Sequence, residues 1–196
     1  MKNFPLYKEW LNTVVHPTER SRPQMFLRWE YFYTKYSICS LIKPKKICEL
    51  GVRFGYSAYS FCLTGPEVYH GFDKPDLEGG SFVSSDPHEY CRSIISDLTA
   101  EVRVTNINTK ELKPEMMDMY DFIHVDAGHT YDDATRDLNI ALSVALPGAY
   151  ILVDDYRTDV EVAKATEDFI SKNKEKIESS MYFMGLKGER LIKLIN

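Results

Sequence analysis

DFIHVDAGHTYDDATRDLNIALSVALPGAYILVDDY, residues 121–156, contains two short apolar runs on either side of an amphipathic stretch. The runs Asp121–Val125 and Ala149–Val153 are predicted strands, because both are short and each is followed at once by polar residues. Between them, Thr130 is a predicted helix cap, and Pro147-Gly148 is expected to end the helix. A strand, a helix and a second strand in this order form a right-handed crossover, so the two strands should be parallel neighbours in one sheet.

The same alternation of apolar runs and amphipathic stretches continues on both sides of this unit. The other predicted strands are Lys46–Leu50, Val68–Phe72 and Glu101–Asn106, and predicted helices begin at about Ser57, Pro87, Tyr131 and Val160. The stretch from Ser180 contains two strands around Lys187-Gly188, which must be antiparallel because so short a connection cannot join parallel strands. The sequence therefore predicts an α/β fold: a Rossmann-like, doubly wound, mostly parallel seven-stranded sheet with an antiparallel C-terminal strand pair.

The first 44 residues follow a helical pattern instead. Residues 22–42 have a broad apolar face at helical spacing, rich in aromatic side chains, after a break at Pro17 or Pro23. We expect one domain, residues 1–196, in which an N-terminal helical cover, residues 1–44, lies on a core of residues 45–196. The polar loop from Lys74 to Ser85 is long enough to form a mobile lid.

Composition restricts the class of partner. The 196 residues carry 24 Lys and Arg against 29 Asp and Glu, a net charge of −5, and no dense basic block, which argues against nucleic acid and anionic membranes. The longest apolar run is too short to span a bilayer, and the N-terminus lacks a secretory apolar stretch. The four cysteines form no C-x-x-C pair and are expected to be reduced packing thiols. We expect a cytoplasmic protein with a small-molecule partner. Whether it forms a homo-oligomer stays open.

The first predicted strand runs into a glycine turn that leads straight into a helix. Gly51 and Gly55 bracket this turn, and Arg53 takes the place of the second glycine of the dinucleotide fingerprint G-x-G-x-x-G. The spacing E-x-G-x-x-x-G-x-S, from Glu49 to Ser57, resembles the first motif of class I S-adenosylmethionine-dependent methyltransferases. In that motif the acidic residue faces the methionine end of the cofactor. A purely structural strand-to-helix turn is the alternative.

Two more strand ends carry polar residues suited to a nucleoside. Asp73 ends the second strand 22 positions after Gly51, where a carboxylate can accept hydrogen bonds from both ribose hydroxyls. The alternative for Asp73 is an exposed loop acid. After the third strand, Asn106 and Asn108 are candidates to present amide groups to adenine, or else they are turn residues in a solvated loop.

Three carboxylates follow the two strands of the opening segment. Adjacent strands lie about 4.8 Å apart, so Asp126 on one can converge with Asp154 and Asp155 on the other. Such clustering is tolerable only with a cation or strong hydrogen-bond donors, and oxygen ligands favour Mg²⁺. Alternatively, Asp155 caps the next segment and Asp154 faces water. His129, three residues beyond Asp126, is a candidate general base or cofactor contact, or else a structural histidine.

From Ile47 to Tyr156 the chain resembles the metal-dependent O-methyltransferases of the macrocin and cephalosporin-hydroxylase-like group. The resemblance implies that Asp126, Asp154 and Asp155 hold magnesium and that His129 is the base. It implies S-adenosylmethionine as cofactor and a hydroxyl-bearing small molecule, such as a sugar, diol, catechol or natural product, as substrate. The residues implied or suspected to bind the cofactor are Glu49, Gly51, Gly55, Ser57, Asp73, Asn108 and Asp126.

Three other functions remain open from the sequence. The nearest is a metal-independent N- or O-methyltransferase of small molecules. A nicotinamide-dependent oxidoreductase would use the same architecture, although the G-x-G-x-x-G fingerprint is missing. A non-catalytic module that keeps the cofactor pocket is the third.

Overall fold

The computed structural model describes residues 2–74 and 87–196. The helices are α1 (Tyr7–Thr13), α2 (Met25–Ile42), α3 (Tyr56–Cys62), α4 (Pro87–Ile95), α5 (Tyr131–Ser143) and α6 (Val160–Lys172). The strands are β1 (Lys46–Leu50), β2 (Val68–Asp73), β3 (Glu101–Asn106), β4 (Tyr120–Val125), β5 (Ala145–Val153), β6 (Ile177–Phe183) and β7 (Glu189–Leu194). Short 3₁₀ turns cover Pro17–Glu19 and Pro114–Met116.

The strands form one sheet in the order β3-β2-β1-β4-β5-β7-β6. The first five strands of this order are parallel, and β7 is antiparallel to both β5 and β6. The predicted fold class is therefore confirmed. The direction of strand succession reverses between β1 and β4, and in open α/β sheets ligands bind beyond the carboxyl ends of the strands at such a point.

Helices cover both faces of the sheet, because its central strands are apolar on both sides. On one face, α5 and α6 bury Leu138 and Phe169 against Ile151. On the other, Phe61 of α3 and Ile95 of α4 pack in a second cluster with strand side chains. The alternation of side chains along each strand thus supplies two separate apolar layers.

The N-terminal segment packs as the predicted cover. Trp10 of α1, Phe32 of α2 and Tyr56 of α3 are buried in a third apolar cluster. The predicted helix of residues 22–42 begins only at Met25, because Gln24 adopts a left-handed conformation with φ of 68°. Among residues 2–74 and 87–196, no helix combines the length and the apolarity that a bilayer crossing needs.

One predicted boundary is wrong. Helix α5 ends at Ser143, and Pro147 and Gly148 lie inside β5 rather than at the end of the helix. The strand accommodates them because its register against β4 shifts there, from Ala145 opposite Tyr120 to Tyr150 opposite Phe122. Proline in a strand is tolerated at such an irregularity, where no ladder hydrogen bond is lost.

Smaller differences concern strand ends and cysteines. Strand β6 begins at Ile177, three residues before the predicted start, and β2 extends to Asp73. The four cysteines are free and buried, as expected of packing thiols. The predicted lid, Lys74 to Ser85, lies outside the described residues except for Lys74.

Candidate active site

The turn after β1 is built on Gly51. Its backbone has φ of +91°, and its N–H donates to the Phe72 carbonyl oxygen at 2.8 Å. A Cβ atom on Gly51 would lie 2.1 Å from the carbonyl oxygen of Asp126. The ends of β1 and β4 therefore approach so closely that only glycine fits at this position.

The second glycine of the turn starts α3. Gly55 has φ of +77°, and a Cβ atom there would lie 2.3 Å from Cys91 Sγ. The predicted tight glycine turn is thus present, and both glycines have a steric reason. Close backbone approach of this kind also leaves room for a ligand beside the turn.

Asp73 holds the glycine turn from the neighbouring strand. Its Oδ2 accepts hydrogen bonds from the backbone N–H groups of Val52 at 2.9 Å and Arg53 at 2.6 Å. Burial acts to raise the pKa of Asp73, but His88 and these N–H donors outweigh burial, and the pKa lies below its usual value. Asp73 is therefore a partly buried, ionised anchor rather than a free loop acid.

A cavity of about 590 Å³ opens beside the turn. It is lined by six of the predicted site residues, Gly51, Gly55, Ser57, Asp73, Asp126 and His129. The size is within the range of sites for small molecules and cofactors, about 300–1,000 Å³. Residues from α2 and from the β6–β7 connection complete the wall, including Arg28, Tyr31, Phe32 and Lys187.

Two predicted cofactor residues do not line this cavity. Glu49 is fully buried, where its carboxylate accepts from the hydroxyls of Ser57 and Tyr69 and contacts His124 Nδ1 at 2.9 Å. Asn108 accepts the backbone N–H of Lys110 at 3.0 Å, the turn role considered as its alternative. Glu49 thus orients Ser57 from behind the wall, and Asn108 stabilises its own loop.

Asp154 is buried at the end of β5 and already has three donors. The Tyr31 hydroxyl donates to Oδ2, the Lys35 ammonium lies 3.5 Å from the same oxygen, and the Asp155 N–H donates to Oδ1 at 2.8 Å. Burial acts to raise the pKa of Asp154, but Lys35 and other cationic neighbours outweigh it and lower the pKa. Asp154 therefore faces protein donors, and the alternative that it faces water is wrong.

Lys35 is fully buried and connects several acidic groups. Its Nζ lies 3.2 Å from Glu189 and 2.7 Å from His124 Nε2. A neutral His124 with its proton on Nδ1 satisfies both of its contacts, since it accepts from Lys35 and donates to Glu49. A continuous buried chain of polar groups thus joins Glu49 to Asp154.

Asp155 lies in a left-handed turn with φ of 55° after β5. Its Oδ1 accepts from the Thr158 hydroxyl at 2.8 Å, and its Oδ2 lies 2.9 Å from Lys187 Nζ. The same Oδ2 is 3.3 Å from His129 Nε2. The side chain that caps α6 is that of Asp159, so Asp155 does not cap this helix. Asp155 accepts from the Thr158 hydroxyl instead and forms an ion pair that the sequence did not indicate.

Asp126 and His129 lie together at the cavity wall. His129 Nε2 is 3.9 Å from Asp126 Oδ1, too long for a hydrogen bond but within ion-pair range. Burial and the charge of Asp154 raise the pKa of Asp126 well above its usual value. The carboxylates of Asp126 and Asp155 raise the pKa of His129.

The acidic groups offer a metal ion two overlapping sets of donors within the described residues. Donor atoms of His124, Asp126 and Asp154 lie within 4.8 Å of one another, and so do those of Asp126, His129 and Asp155. The second set fits an ion beside the cavity better, since two of its three members line the wall. Each set includes a histidine nitrogen besides the carboxylate oxygens that Mg²⁺ prefers.

The sequence did not indicate that Tyr31, Lys35 and Lys187 contact the acidic groups of the site. Tyr31 and Asp154 are 123 positions apart, and nothing in either local pattern pairs them. Lys35 did carry a signal, because a lysine within the apolar face of a helix must find a buried counter-ion. No comparable signal marks Lys187, which lies in the short connection between β6 and β7.

The sheet order, the glycine turn after β1 and the acidic end of β2 together define a class I methyltransferase. In agreement, a family model for the methyltransferase domain matches residues 48–156, more than half of the chain, and the chain belongs to this family. It is therefore an S-adenosylmethionine-dependent methyltransferase, as the resemblance implied.

Solved structures share the fold at low sequence identity. The O-methyltransferase from Bacillus cereus in complex with SAH is 15% identical, with a TM-score of 0.61 over 93% of this chain and 83% of that chain. The O-methyltransferase TomG of tomaymycin synthesis from Streptomyces achromogenes, in complex with SAM, is also 15% identical, with a TM-score of 0.60 over 85% and 80% of the two chains.

A third similar structure is CalS11, a TDP-rhamnose 3'-O-methyltransferase of calicheamicin biosynthesis, at 15% identity. Its TM-score is 0.62 over 95% of this chain and 91% of that chain. At such identities the likeness concerns the fold. No curated protein matches the sequence.

Proposed function

We propose that the protein transfers the methyl group of S-adenosylmethionine to a hydroxyl oxygen of a small molecule. One observation carries the proposal: a single cavity joins the glycine turn and Asp73 to Asp126 and His129. A cofactor beside the turn and an acceptor beside His129 would share this space. The structural relatives that bear the name O-methyltransferase support the choice of oxygen as the methyl acceptor.

In this proposal the glycine turn and Asp73 hold the cofactor. The Oδ2 atom of Asp73 is occupied by two N–H groups, and its Oδ1 accepts only the N–H of Lys74 among the described residues. Oδ1 therefore has capacity left for ribose hydroxyls. Ser57 lies on the same wall, fixed by Glu49. When bound, the cofactor supplies an electrophilic methyl group on a sulfonium.

His129 is the proposed general base. Half of its side chain is exposed on the cavity side of the site, and its Nε2 is held near Asp126 and Asp155. These carboxylates stabilise the imidazolium that forms when His129 takes the proton of the acceptor hydroxyl. Most of the remaining catalysis is the positioning of two reactants in one enclosed space.

Metal dependence is a separate part of the proposal. Asp126, Asp154 and Asp155 are the predicted magnesium ligands, and a bound divalent cation would lower the pKa of an acceptor hydroxyl. Asp126 fits this role, since its only ion pair within the described residues is the long one to His129. Asp154 and Asp155 fit less well, because Lys35 and Lys187 already neutralise them.

A metal-independent methyltransferase is the second candidate, and those two lysines favour it. They supply the positive charge that the clustered carboxylates need, so the site can fold without a metal. Chelator treatment of the purified protein separates the candidates. If transfer to an acceptor that the protein methylates stops with EDTA and returns with Mg²⁺, the metal-dependent form stands; if it persists, the second candidate replaces it.

Calorimetry with S-adenosylmethionine tests the proposed function itself. We expect saturable binding to the folded protein, with S-adenosylhomocysteine competing for the same site. The absence of heat and of any thermal stabilisation at millimolar cofactor would overturn the proposal. This measurement requires no knowledge of the acceptor.

A further inference from the structure

Arg28 is a cavity residue that the cofactor proposal leaves without a role. It lies on the first turns of α2 and lines the cavity together with Tyr31 and Phe32. Within residues 2–74 and 87–196, its guanidinium has no hydrogen bond, ion pair or ring contact. Arginine is charged at every physiological pH and presents five N–H donors, so this group can bind a ligand that enters the cavity.

Two other arginines, Arg22 and Arg53, differ from Arg28 because a buried carboxylate holds them. Glu19, which is fully buried, is 3.1 Å from Arg22 and 3.2 Å from Arg53. It also accepts from the Tyr56 hydroxyl at 2.9 Å. The Glu19 carboxylate therefore fixes two arginines as part of the fold. Arg28 makes no such contact with the described residues.

Helix α2 holds Arg28 at a defined place relative to the reacting groups. Arg28, Tyr31, Phe32 and Lys35 recur at the spacing that puts side chains on one helix face. Tyr31 and Lys35 are tied to Asp154, so this face is anchored at the end of β5. Arg28 is thus one turn away from a fixed contact, and it lies on the wall of the same cavity as Asp126 and His129.

The charges of the cavity wall also favour an anionic ligand at Arg28. The wall carries four cationic side chains, Arg28, Arg53, Lys74 and Lys187, against the two carboxylates Asp73 and Asp126. Glu19 and Asp155 pair with Arg53 and Lys187, whereas the described residues offer the Arg28 guanidinium no carboxylate. A sulfonium cofactor would add further positive charge at this place, and local positive charge attracts a small anion.

We propose that Arg28 binds an anionic group, a carboxylate or a phosphate, on the methyl acceptor. The acceptor class is then a small hydroxy acid or hydroxyl-bearing phosphate rather than a neutral diol. Tyr31 and Phe32 border the carbon skeleton, and Arg28 receives the anion in the forked geometry that suits both groups. This inference deepens the proposed function and depends on it.

The test compares matched acceptors that differ in charge. Binding of catechol and 3,4-dihydroxybenzoate, and of glucose and glucose 6-phosphate, is measured by calorimetry on the full chain saturated with S-adenosylhomocysteine. We expect the anionic member of at least one pair to bind about tenfold more tightly, as a charge-assisted contact would give. The pair that responds distinguishes carboxylate from phosphate.

Arg28→Gln should abolish this preference and leave S-adenosylhomocysteine binding unchanged. Arg103→Gln, which removes a surface arginine paired with Glu101, is the matched control and should behave as the wild type. With acceptors that are methylated, the Arg28→Gln effect should appear in KM far more than in kcat.

The outcomes separate the two proposals. If S-adenosylhomocysteine does not bind, the proposed function fails. If it binds but neither anion binds more tightly than its neutral partner, or if Arg28→Gln keeps the preference, the cofactor proposal survives and the role of Arg28 is overturned.

Discussion

Gly51 has no room for a side chain, and this allows a sharp prediction. In Gly51→Ala the new Cβ would meet backbone atoms of Asp126 rather than a movable side chain. The left-handed backbone conformation also costs a residue with a Cβ about 1–2 kcal/mol, which lowers the stability of the fold. We expect a lower melting temperature and weaker S-adenosylmethionine binding, measured by thermal unfolding and calorimetry.

Gly185→Ala is the control for this change. Nothing lies within 4 Å of a Cβ atom at that position. This variant should match the wild type in both measurements. Equal behaviour of the two variants would contradict the close approach of β1 and β4.

Asp73→Asn tests the anchor of the glycine turn and has a defined pH dependence. The pKa of Asp73 is lowered in the folded protein, so its ionised form stabilises the fold above its ordinary pKa, and this contribution is lost as the pH falls. The variant should be about 1 kcal/mol less stable at neutral pH, because hydrogen bonds to a charged group contribute about 1.5–3 kcal/mol and those to a neutral group about 0.5–1.5 kcal/mol.

Denaturant titrations of both proteins from pH 7 to pH 3 measure this difference. The two stabilities should converge as the pH falls below about 4, where the wild-type carboxyl becomes protonated. A difference that stays constant with pH would show that the charge of Asp73 contributes nothing.

His129→Gln tests the proposed base. Removal of a positioned base lowers rates by about 10²–10⁴-fold, so kcat should fall by that amount with any acceptor that the wild type methylates. Cofactor affinity and melting temperature should not change, because half of the side chain is exposed. A kcat within threefold of the wild type would exclude His129 as the base.

Helix α2 is the element that completes the site from outside the βαβ core. Lys35→Met would leave Asp154 and Glu189 buried without their shared cation. Removing one partner of a buried ion pair typically costs about 3–5 kcal/mol. We therefore expect a large loss in the free energy of unfolding, measured with denaturant.

A second variant distinguishes charge from packing at this position. Lys35→Met combined with Glu189→Gln removes one of the uncompensated charges and should recover part of the loss. If the double variant is no more stable than Lys35→Met, the loss comes from packing rather than from charge.

The elements differ in how far the sequence determines them. Strands β1 and β3 have the predicted bounds. Strand β1 is a short buried apolar run, and the edge strand β3 alternates valine with polar residues; both patterns are local and end at turn residues. The end of α5 was misplaced because Pro147 and Gly148 resemble a helix stop, whereas the register shift against β4 lets β5 contain both. That shift depends on tertiary pairing and has no local signature.

The site residues also differ in how far the sequence determines them. Gly51, Asp73, Asp126 and His129 could be predicted because a parallel sheet brings strand ends to one edge. The partners of the acidic groups could not, since the Tyr31 hydroxyl and the two cations Lys35 and Lys187 reach Asp154 and Asp155 from distant parts of the chain.

In the molecule as a whole, charge is unevenly distributed, so the net charge does not describe the surroundings of the cavity. The net charge of −5 argues against polyanionic partners, yet the cavity wall includes the cation of Arg28, which no carboxylate of the described residues pairs. Part of the negative charge is buried, in Glu19, Glu49, Asp154 and Glu189. A small anion can therefore approach this protein where a nucleic acid would not find an extended basic surface.

The contacts around Asp154 also set an order for events on the ribosome. Tyr31 and Lys35 are synthesised before Asp154, which follows more than a hundred residues later, and Lys187 and Glu189 follow Asp154. Domains fold during synthesis as their parts emerge. Lys35 therefore lacks one of its two buried counter-ions, Glu189, until β7 is available. A nascent chain halted before residue 187 would contain every cofactor motif but not a finished catalytic centre.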